Sequence, residues 1–326
     1  MIVQRFTDEA DEWDEFVDDS INGTFMHSRQ FLSYHPTGRF QDHSLLFRGQ
    51  RNQLLAVLPA AEVVQDRKRI LQSHPGASYG GLVVHESSIS AINGDLVDQL
   101  LDYNKRARFE VIRMRVSEKV FHKQWCEELD AALFRAGFVI EGRELSCAVD
   151  LMGLTEHNIL DRFQENGRGG VKKAQKHGVV ARITDDYDGF WHILKQNLQA
   201  CYNASPTHSL EEILHLKEMF GNRVMLIGGF LADQLVSGTV IFFLNGVAAH
   251  TMYMAQDYEH QRSRSLNLVL YESLLECSRR RMRYLNYGIC TNPGTLGMEL
   301  NNGVFAFKRS CGGAGVVRDL LVNYLT

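Results

Sequence analysis

The chain is short of proline, with five in 326 residues, and has no low-complexity tract, so it leaves little room for a long linker or a disordered arm. Paired cysteines are also missing. The six, Cys126, Cys147, Cys201, Cys277, Cys290 and Cys311, are scattered without a Cys-x-x-Cys spacing, which argues against a structural zinc site and a disulfide framework and fits a reducing compartment. No uninterrupted apolar run reaches bilayer-spanning length, and the N-terminal MIVQRFTDEADEWDEF is acidic with no apolar centre. Neither membrane insertion nor a signal peptide is expected, and the expected location is the cytoplasm. Charge of one sign is not in large excess. With a formal net charge of −4, no overall field draws the protein to DNA or to an anionic membrane, and any phosphate or RNA contact must come from a local basic cluster.

Apolar patterning, by contrast, is plentiful. A hydrophobic content of 44% over this length can fill a large core and predicts about two domains. In the first half, periodicity predicts an edge strand at 2–6, a helix at 8–17, a hairpin of 44–47 with 54–64, a helix at 90–106, a strand at 109–116 and a helix at 125–136. The second half has a helix, a glycine-rich break and a basic helix between 158 and 179, then helices at 190–202 and 210–220. A hairpin of 223–230 with 234–244, a strand at 248–254, a helix at 266–280 and a strand at 284–287 follow. Helix, hairpin, strand, helix, strand thus occurs twice, which predicts two copies of one α/β domain, 1–146 and 147–326.

The stretch 284–315, YLNYGICTNPGTLGMELNNGVFAFKRSCGGAG, is the best candidate for chemistry. Its short strand stops at Gly288, a loop with Asn292, Pro293, Gly294 and Gly297 follows, and a second apolar run, 304–307, leads into Lys308 and Arg309. Those cations stand beside Gly312, Gly313 and Gly315, where bare backbone can approach an anionic ligand. A hairpin with a solvated Lys-Arg corner fits the same residues. Gly80 and Gly81, just before a strand, read as a loop close to a ligand or to another backbone, or as a tight turn. His208 and His215 can share a helix face, but no third ligand stands at a sensible spacing and no metal site is expected. Cys311 has no nucleophile pattern around it and reads as a buried thiol.

The order of elements is that of the GNAT acyltransferase fold, and the residue patterns resemble its FemAB/FemX-like branch, the double-GNAT bacterial proteins that include peptidoglycan-bridge aminoacyl transferases. In that family the second domain opens with an arginine and a basic helix, matched here by Arg168-Gly169-Gly170-Val171-Lys172-Lys173. The family's C-terminal pattern is matched by Tyr287-Gly288, Asn302-Gly303, Phe307-Lys308 and Gly312-Gly313, and Tyr79-Gly80-Gly81 resembles a first-domain motif. The resemblance covers nearly the whole length.

It implies two tandem GNAT-like domains, each a mixed, mostly antiparallel twisted sheet flanked by helices. It further implies transfer of an acyl or aminoacyl group to an amine of a cell-wall or surface-polysaccharide precursor, with acyl-CoA or aminoacyl-tRNA as co-substrate and no tightly bound cofactor. Lys308 would then stabilise an oxyanion or leaving group. Tyr253 or His250, on the strand that lines the cleft in such enzymes, would exchange a proton with the amine. Three apart on a regular strand, those two are expected on opposite faces. Arg168 and Lys172, with Tyr79, Gly80, Gly81, Asn302 and Phe307, would contact a small-molecule or nucleotide-linked acceptor. Single-domain GNAT enzymes hold the acyl-CoA pyrophosphate on an Arg/Gln-x-x-Gly-x-Gly/Ala loop. The matching segment 257–266, DYEHQRSRSL, has no glycine, leaving Arg262, Arg264 and Ser265 as donor-phosphate ligands and pointing away from ordinary acetyl-CoA binding. An acyl-CoA-dependent N-acyltransferase acting on an amino sugar and a non-catalytic nucleotide-sugar-binding protein stay open as alternatives.

Overall fold

The computed structural model of the protein describes residues 1–325. Its chain divides into two compact units: Met1–Leu145 and Thr291–Glu299, with the chain from Val317 onward, form unit 1, and Ser146–Cys290 with Leu300–Val316 form unit 2. The second domain expected at 147–326 therefore cedes two segments to the first.

Unit 1 opens with β1 (Ile2–Arg5), α1 (Ala10–Asp19), α2 (Arg29–Leu32), β2 (Gln41–Asp42), β3 (Leu45–Arg48), β4 (Leu54–Leu58), β5 (Ala61–Gln65) and β6 (Lys68–Ser73). It continues through β7 (Val83–Val84), α3 (Ile89–Asn93), α4 (Leu96–Arg106), β8 (Val111–Arg115), α5 (Glu127–Arg135) and β9 (Val139–Asp150), whose last residues belong to unit 2. β1, β3, β4 and β7 form one antiparallel sheet, and β2, β5, β6 and β8 lie in another whose β6–β8 pair is parallel. The strand expected over 54–64 is thus two strands in two sheets. Pro59, without an N–H for the ladder, stands where the chain changes sheet. Leu71, Ile112 and Met114 pack against Leu96, Leu100, Leu129 and Leu133 to form the core of this unit.

Unit 2 contains α6 (Glu165–Lys176), β10 (Val179–Thr184), α7 (Tyr187–Tyr202), α8 (Leu210–Phe220), β11 (Val224–Leu231), β12 (Gln234–Phe243) and β13 (Ala248–Gln256). After these come α9 (Ser265–Arg279), β14 (Tyr284–Ile289), α10 (Asn302–Ser310) and the start of β15 (Ala314–Tyr324), which finishes in unit 1 beside β8. The sheet runs β10–β11–β12–β13–β14 and then to residues 146–150 of β9. All its pairs are antiparallel except β13 with β14. One face is covered by α9, whose Val269, Leu270 and Leu274 meet Ile227, Ile241, Leu285 and Tyr287. Each such fully buried side chain contributes roughly 1.5–3 kcal/mol.

The glycine-rich break expected between 158 and 179 is absent, because α6 runs unbroken through Gly167, Gly169 and Gly170. A Cβ on Gly167 would stand 2.1 Å from the Ser310 carbonyl oxygen, and one on Gly170 2.6 Å from Cγ of Asn267. These glycines let α6 lie directly on α10 and α9, a gain that offsets the roughly 1 kcal/mol helix-propensity cost of each. The run 304–307 is likewise helical and not one arm of a hairpin. Asn301 caps α10 by accepting from the Val304 N–H at 3.1 Å.

Candidate active site in unit 2

β13 and β14 pair over three residues only, Ala248–His250 against Tyr284–Asn286. Past that point the parallel ladder stops, and Gly288 turns in the left-handed region at φ +79°. α10 brings Lys308 to this break. Lys308 is 7% exposed; its ammonium donates to the carbonyl oxygens of Gly288 at 2.9 Å and Ile289 at 2.7 Å, and its third N–H has no acceptor among the described residues. Burial pushes its pKa below the ordinary lysine value, opposed by Cys290 and Cys147. Those two thiols lie 3.6 Å apart. The shared thiol hydrogen bond and the Lys308 charge hold Cys290 below the usual thiol range, while Cys147 is pushed up.

Beside Gly288 is a notch. A Cβ there would meet His250 Cε1 at 3.5 Å, the Thr251 carbonyl oxygen at 3.6 Å and Lys308 Nζ at 3.8 Å, so the imidazole and the ammonium flank the same small space. The expectation that His250 and Tyr253 face opposite ways is corrected by a register shift: His250 pairs with Phe242 and Tyr253 with Val240, two residues apart on β12. The extra residue in β13 restores both side chains to one face. Tyr253 is nevertheless occupied elsewhere. Its hydroxyl accepts from the His208 N–H at 3.0 Å and lies 2.6 Å from His208 Nδ1, its ring packs edge-on to Trp191, and burial pushes its pKa up to about 12.

A cleft of about 240 Å³ opens between α6, α10 and the start of α9, lined by Asn166, Arg264, Asn267, Phe307 and Ser310. The glycine-free 257–266 segment forms a 3-10 turn over Tyr258–Ser263 and then places Arg264 at φ +60°, as the residue before α9. This left-handed conformation costs a non-glycine residue of order 1–2 kcal/mol. It sets the exposed Arg264 guanidinium at the cleft beside the first N–H groups of α9, where the helix dipole favours an anion. Arg262 is exposed on the turn. Ser265 instead points into the fold: it is 1% exposed, and its Cβ lies 3.6 Å from where a Cβ on Gly229 would stand.

Of the expected acceptor contacts, the structure brings only some together. Phe307 lines the cleft, and Asn302 is exposed at the start of the same helix. Arg168 donates to the Phe163 carbonyl at 2.9 Å at the start of α6, and Lys172 is exposed further along that helix. Tyr79, Gly80 and Gly81 lie inside unit 1, where they serve packing. The Tyr79 hydroxyl meets Thr24 Oγ1 at 3.0 Å, the Gly80 N–H donates to the Arg115 carbonyl, and the Gly81 N–H donates to Ser73 Oγ. Asn166, Asn267 and Cys147 were not anticipated as parts of a site, and Gly288, Cys290 and Ser310 lie within the candidate stretch 284–315 without having been given a role in it. Only the i, i+3, i+4, i+7 spacing of 303, 306, 307 and 310, all on one face of α10, carried a signal, and it shows only once the segment is known to be helical. Among the described residues no cluster of His, Cys, Asp and Glu could hold a metal ion, and no helix is long and apolar enough to cross a membrane.

By sequence, no family model and no curated protein matches the chain. By structure it superposes on the crystal structure of FemX with a TM-score of 0.72 at 13% identity, covering 100% of this chain and 98% of that one. This is a FemX-like double-GNAT fold. It is also similar to L-PGS from Bacillus licheniformis, with a TM-score of 0.58 at 11% identity over 98% of this chain and 93% of that one. A tandem GNAT protein from the clavulanic acid biosynthesis pathway matches with a TM-score of 0.55 at 12% identity, over 100% and 98% of the two chains.

Proposed function

We propose that the protein is an acyl- or aminoacyltransferase whose transfer step runs in unit 2, moving its group onto an amine of a cell-wall or surface-polysaccharide precursor in the cytoplasm. The observation that carries this is the buried Lys308 ammonium, fixed by two carbonyls with one N–H to spare beside the Gly288 notch. When an amine attacks an ester or thioester carbonyl, the oxygen gains a full negative charge, and a preorganised donor in a water-poor site stabilises it without reorganisation. The spare Lys308 N–H is that donor. His250, across the notch, is placed to take the proton the attacking amine loses as the C–N bond forms, and collapse of the intermediate expels the carrier's oxygen or sulfur. Arg264 and the first turn of α9 would hold the phosphate of the carrier.

An aminoacyl-tRNA donor is the leading reading, since Arg264 occupies the left-handed position that a glycine would leave open for close backbone approach. The same cleft at a helix N-terminus supports acyl-CoA as a second reading. The test is a transfer assay in which the full chain is given labelled aminoacyl-tRNA or acyl-CoA with nucleotide-linked amino-sugar acceptors. Label on the acceptor amine from one donor supports the proposal and names the carrier. Ligand binding without transfer from any donor would leave a binding protein instead.

A further inference from the structure

We infer that unit 1 carries an oxyanion-binding site of its own, in a cleft of about 300 Å³ beside β6 and β8, built around Arg113 and Arg115. Two apart on β8, these side chains share a face, and both line the cleft with Gln65 and Gln72. The carboxylates nearby are already committed. Glu144 accepts from Arg318 at 2.9 and 3.1 Å, Asp319 accepts from Arg143 at 2.7 and 2.8 Å, and Glu141 accepts from the Tyr324 hydroxyl. Four arginines, at 113, 115, 143 and 318, therefore face three carboxylates, at 141, 144 and 319, with Arg115 and Arg318 sharing Glu144, and one positive charge is left over.

That surplus sits at the cleft. Arg113 donates to Gln65 Oε1 at 3.0 Å, and its Nε approaches Glu141 no closer than 3.8 Å. Arg115 comes within 3.5 Å of Glu144 but makes no hydrogen bond among the described residues, and the Nε atoms of both arginines are buried without an acceptor. Burial and the Arg318 charge lower the Arg115 pKa, as befits a cation short of a counter-charge. A buried guanidinium Nε–H without an acceptor is costly, and a carboxylate or phosphate accepting from the fork removes that cost. Pro75, Ala77, Leu296 and Leu320 supply apolar wall, so the anionic group arrives on a small, partly apolar molecule, the size being at the lower end for such sites. The inference does not depend on the transfer chemistry of unit 2.

The experiment follows the side-chain Nε–H resonances of Arg113 and Arg115 by NMR in the full chain, assigned with Arg113→Lys and Arg115→Gln, while inorganic phosphate or acetate is titrated against sodium chloride at equal ionic strength. We expect a saturable shift of both resonances with at least one anion. A response to phosphate alone identifies a phosphoryl ligand, and one to acetate alone a carboxylate. Affinity should fall roughly tenfold or more in Arg115→Gln. If that variant does not fold, Arg115→Lys, which keeps the charge but not the fork, should still weaken binding. No shift beyond the chloride control, or binding unchanged by either substitution at Arg115, would overturn the inference.

Discussion

The ammonium of Lys308 lies 2.9 Å from the carbonyl oxygen of Gly288, twenty residues earlier in the chain, at the point where β14 leaves β13. A carbonyl freed by the end of a ladder normally turns to water. Here a helix that follows the strand supplies a buried cation instead, so the lysine is both the plug of the broken ladder and one wall of the notch, 3.8 Å from where a Cβ on Gly288 would stand.

Gly288→Ala should disable the site more than it harms the fold. An alanine at φ +79° costs about 1–2 kcal/mol, and its methyl would fill the notch between His250 and Lys308. Urea unfolding should therefore show a loss of that size, while transfer falls by a far larger factor. Equal activity in the variant would show that the notch is not where the acyl carbon sits.

Gly167→Ala reverses the usual helix rule. On an exposed helix this change stabilises by up to about 1 kcal/mol. At this position the new Cβ would overlap the Ser310 carbonyl oxygen, 2.1 Å away, and overpacking of this kind typically costs 1–3 kcal/mol or more. Denaturant melts should show a loss of stability, together with lower activity as α10 and Lys308 are pushed from the sheet. A gain in stability would show that α6 and α10 do not pack this closely.

Cys290→Ser should shift the alkaline limit of activity downward. In the proposed transfer step Lys308 acts as an ammonium, so activity should be lost as pH rises through its pKa, and the Cys290 charge raises that pKa. Removing the thiol lowers the pKa and brings the descending limb of the kcat profile to lower pH. A limb that stays in place would uncouple Cys290 from Lys308.

Unit 1 should weaken in mild acid. His27 and His74 are buried and His122 is half-buried, and desolvation lowers their pKa values to about 4, 4 and 3, against the ordinary value near 6.5. Between those limits the unfolded chain binds more protons than the folded one, so stability is whole above about pH 6.5 and falls as pH drops toward 4. Each histidine is worth on the order of 3 kcal/mol over the full range. Melting curves from pH 7 to 4 should fall steeply, and His122→Phe should flatten the slope. A flat profile would contradict the burial of these imidazoles.

Much of this architecture was legible in the sequence, and the failures have physical causes. Strand and helix periods marked the strand at Ala248, the helix at Leu266 and the doubled order of elements, because one-sided burial leaves a period in the residues. Three local signals misled. Gly167, Gly169 and Gly170 looked like a break, yet the helix runs through them: Gly167 and Gly170 form a face flat against Ser310 and Asn267, a tertiary demand that outweighs propensity, while Gly169 is exposed. The run 304–307 is apolar and β-like, yet the Asn301 cap and the packing of α10 on α6 make it helical. Tyr253 and His250 were assigned to opposite faces because a bulge adds one residue to the count and leaves no mark in the residues themselves. Lys308 was picked out by residue type and neighbours, but its carbonyl partners at Gly288 and Ile289 follow from an ending ladder, which only the fold reveals.

The central claim is tested most directly by Lys308→Met, with kcat and donor affinity measured on the same preparation. Methionine keeps the length of the side chain and removes the donor, leaving the carbonyls of Gly288 and Ile289 unpaired at a cost of roughly 1–3 kcal/mol. We predict a fold that survives, a donor Kd within about threefold of the original, and a kcat lower by roughly 100- to 1,000-fold, the loss seen when one oxyanion donor is removed. An unchanged kcat, or a loss confined to donor binding, would contradict the assignment.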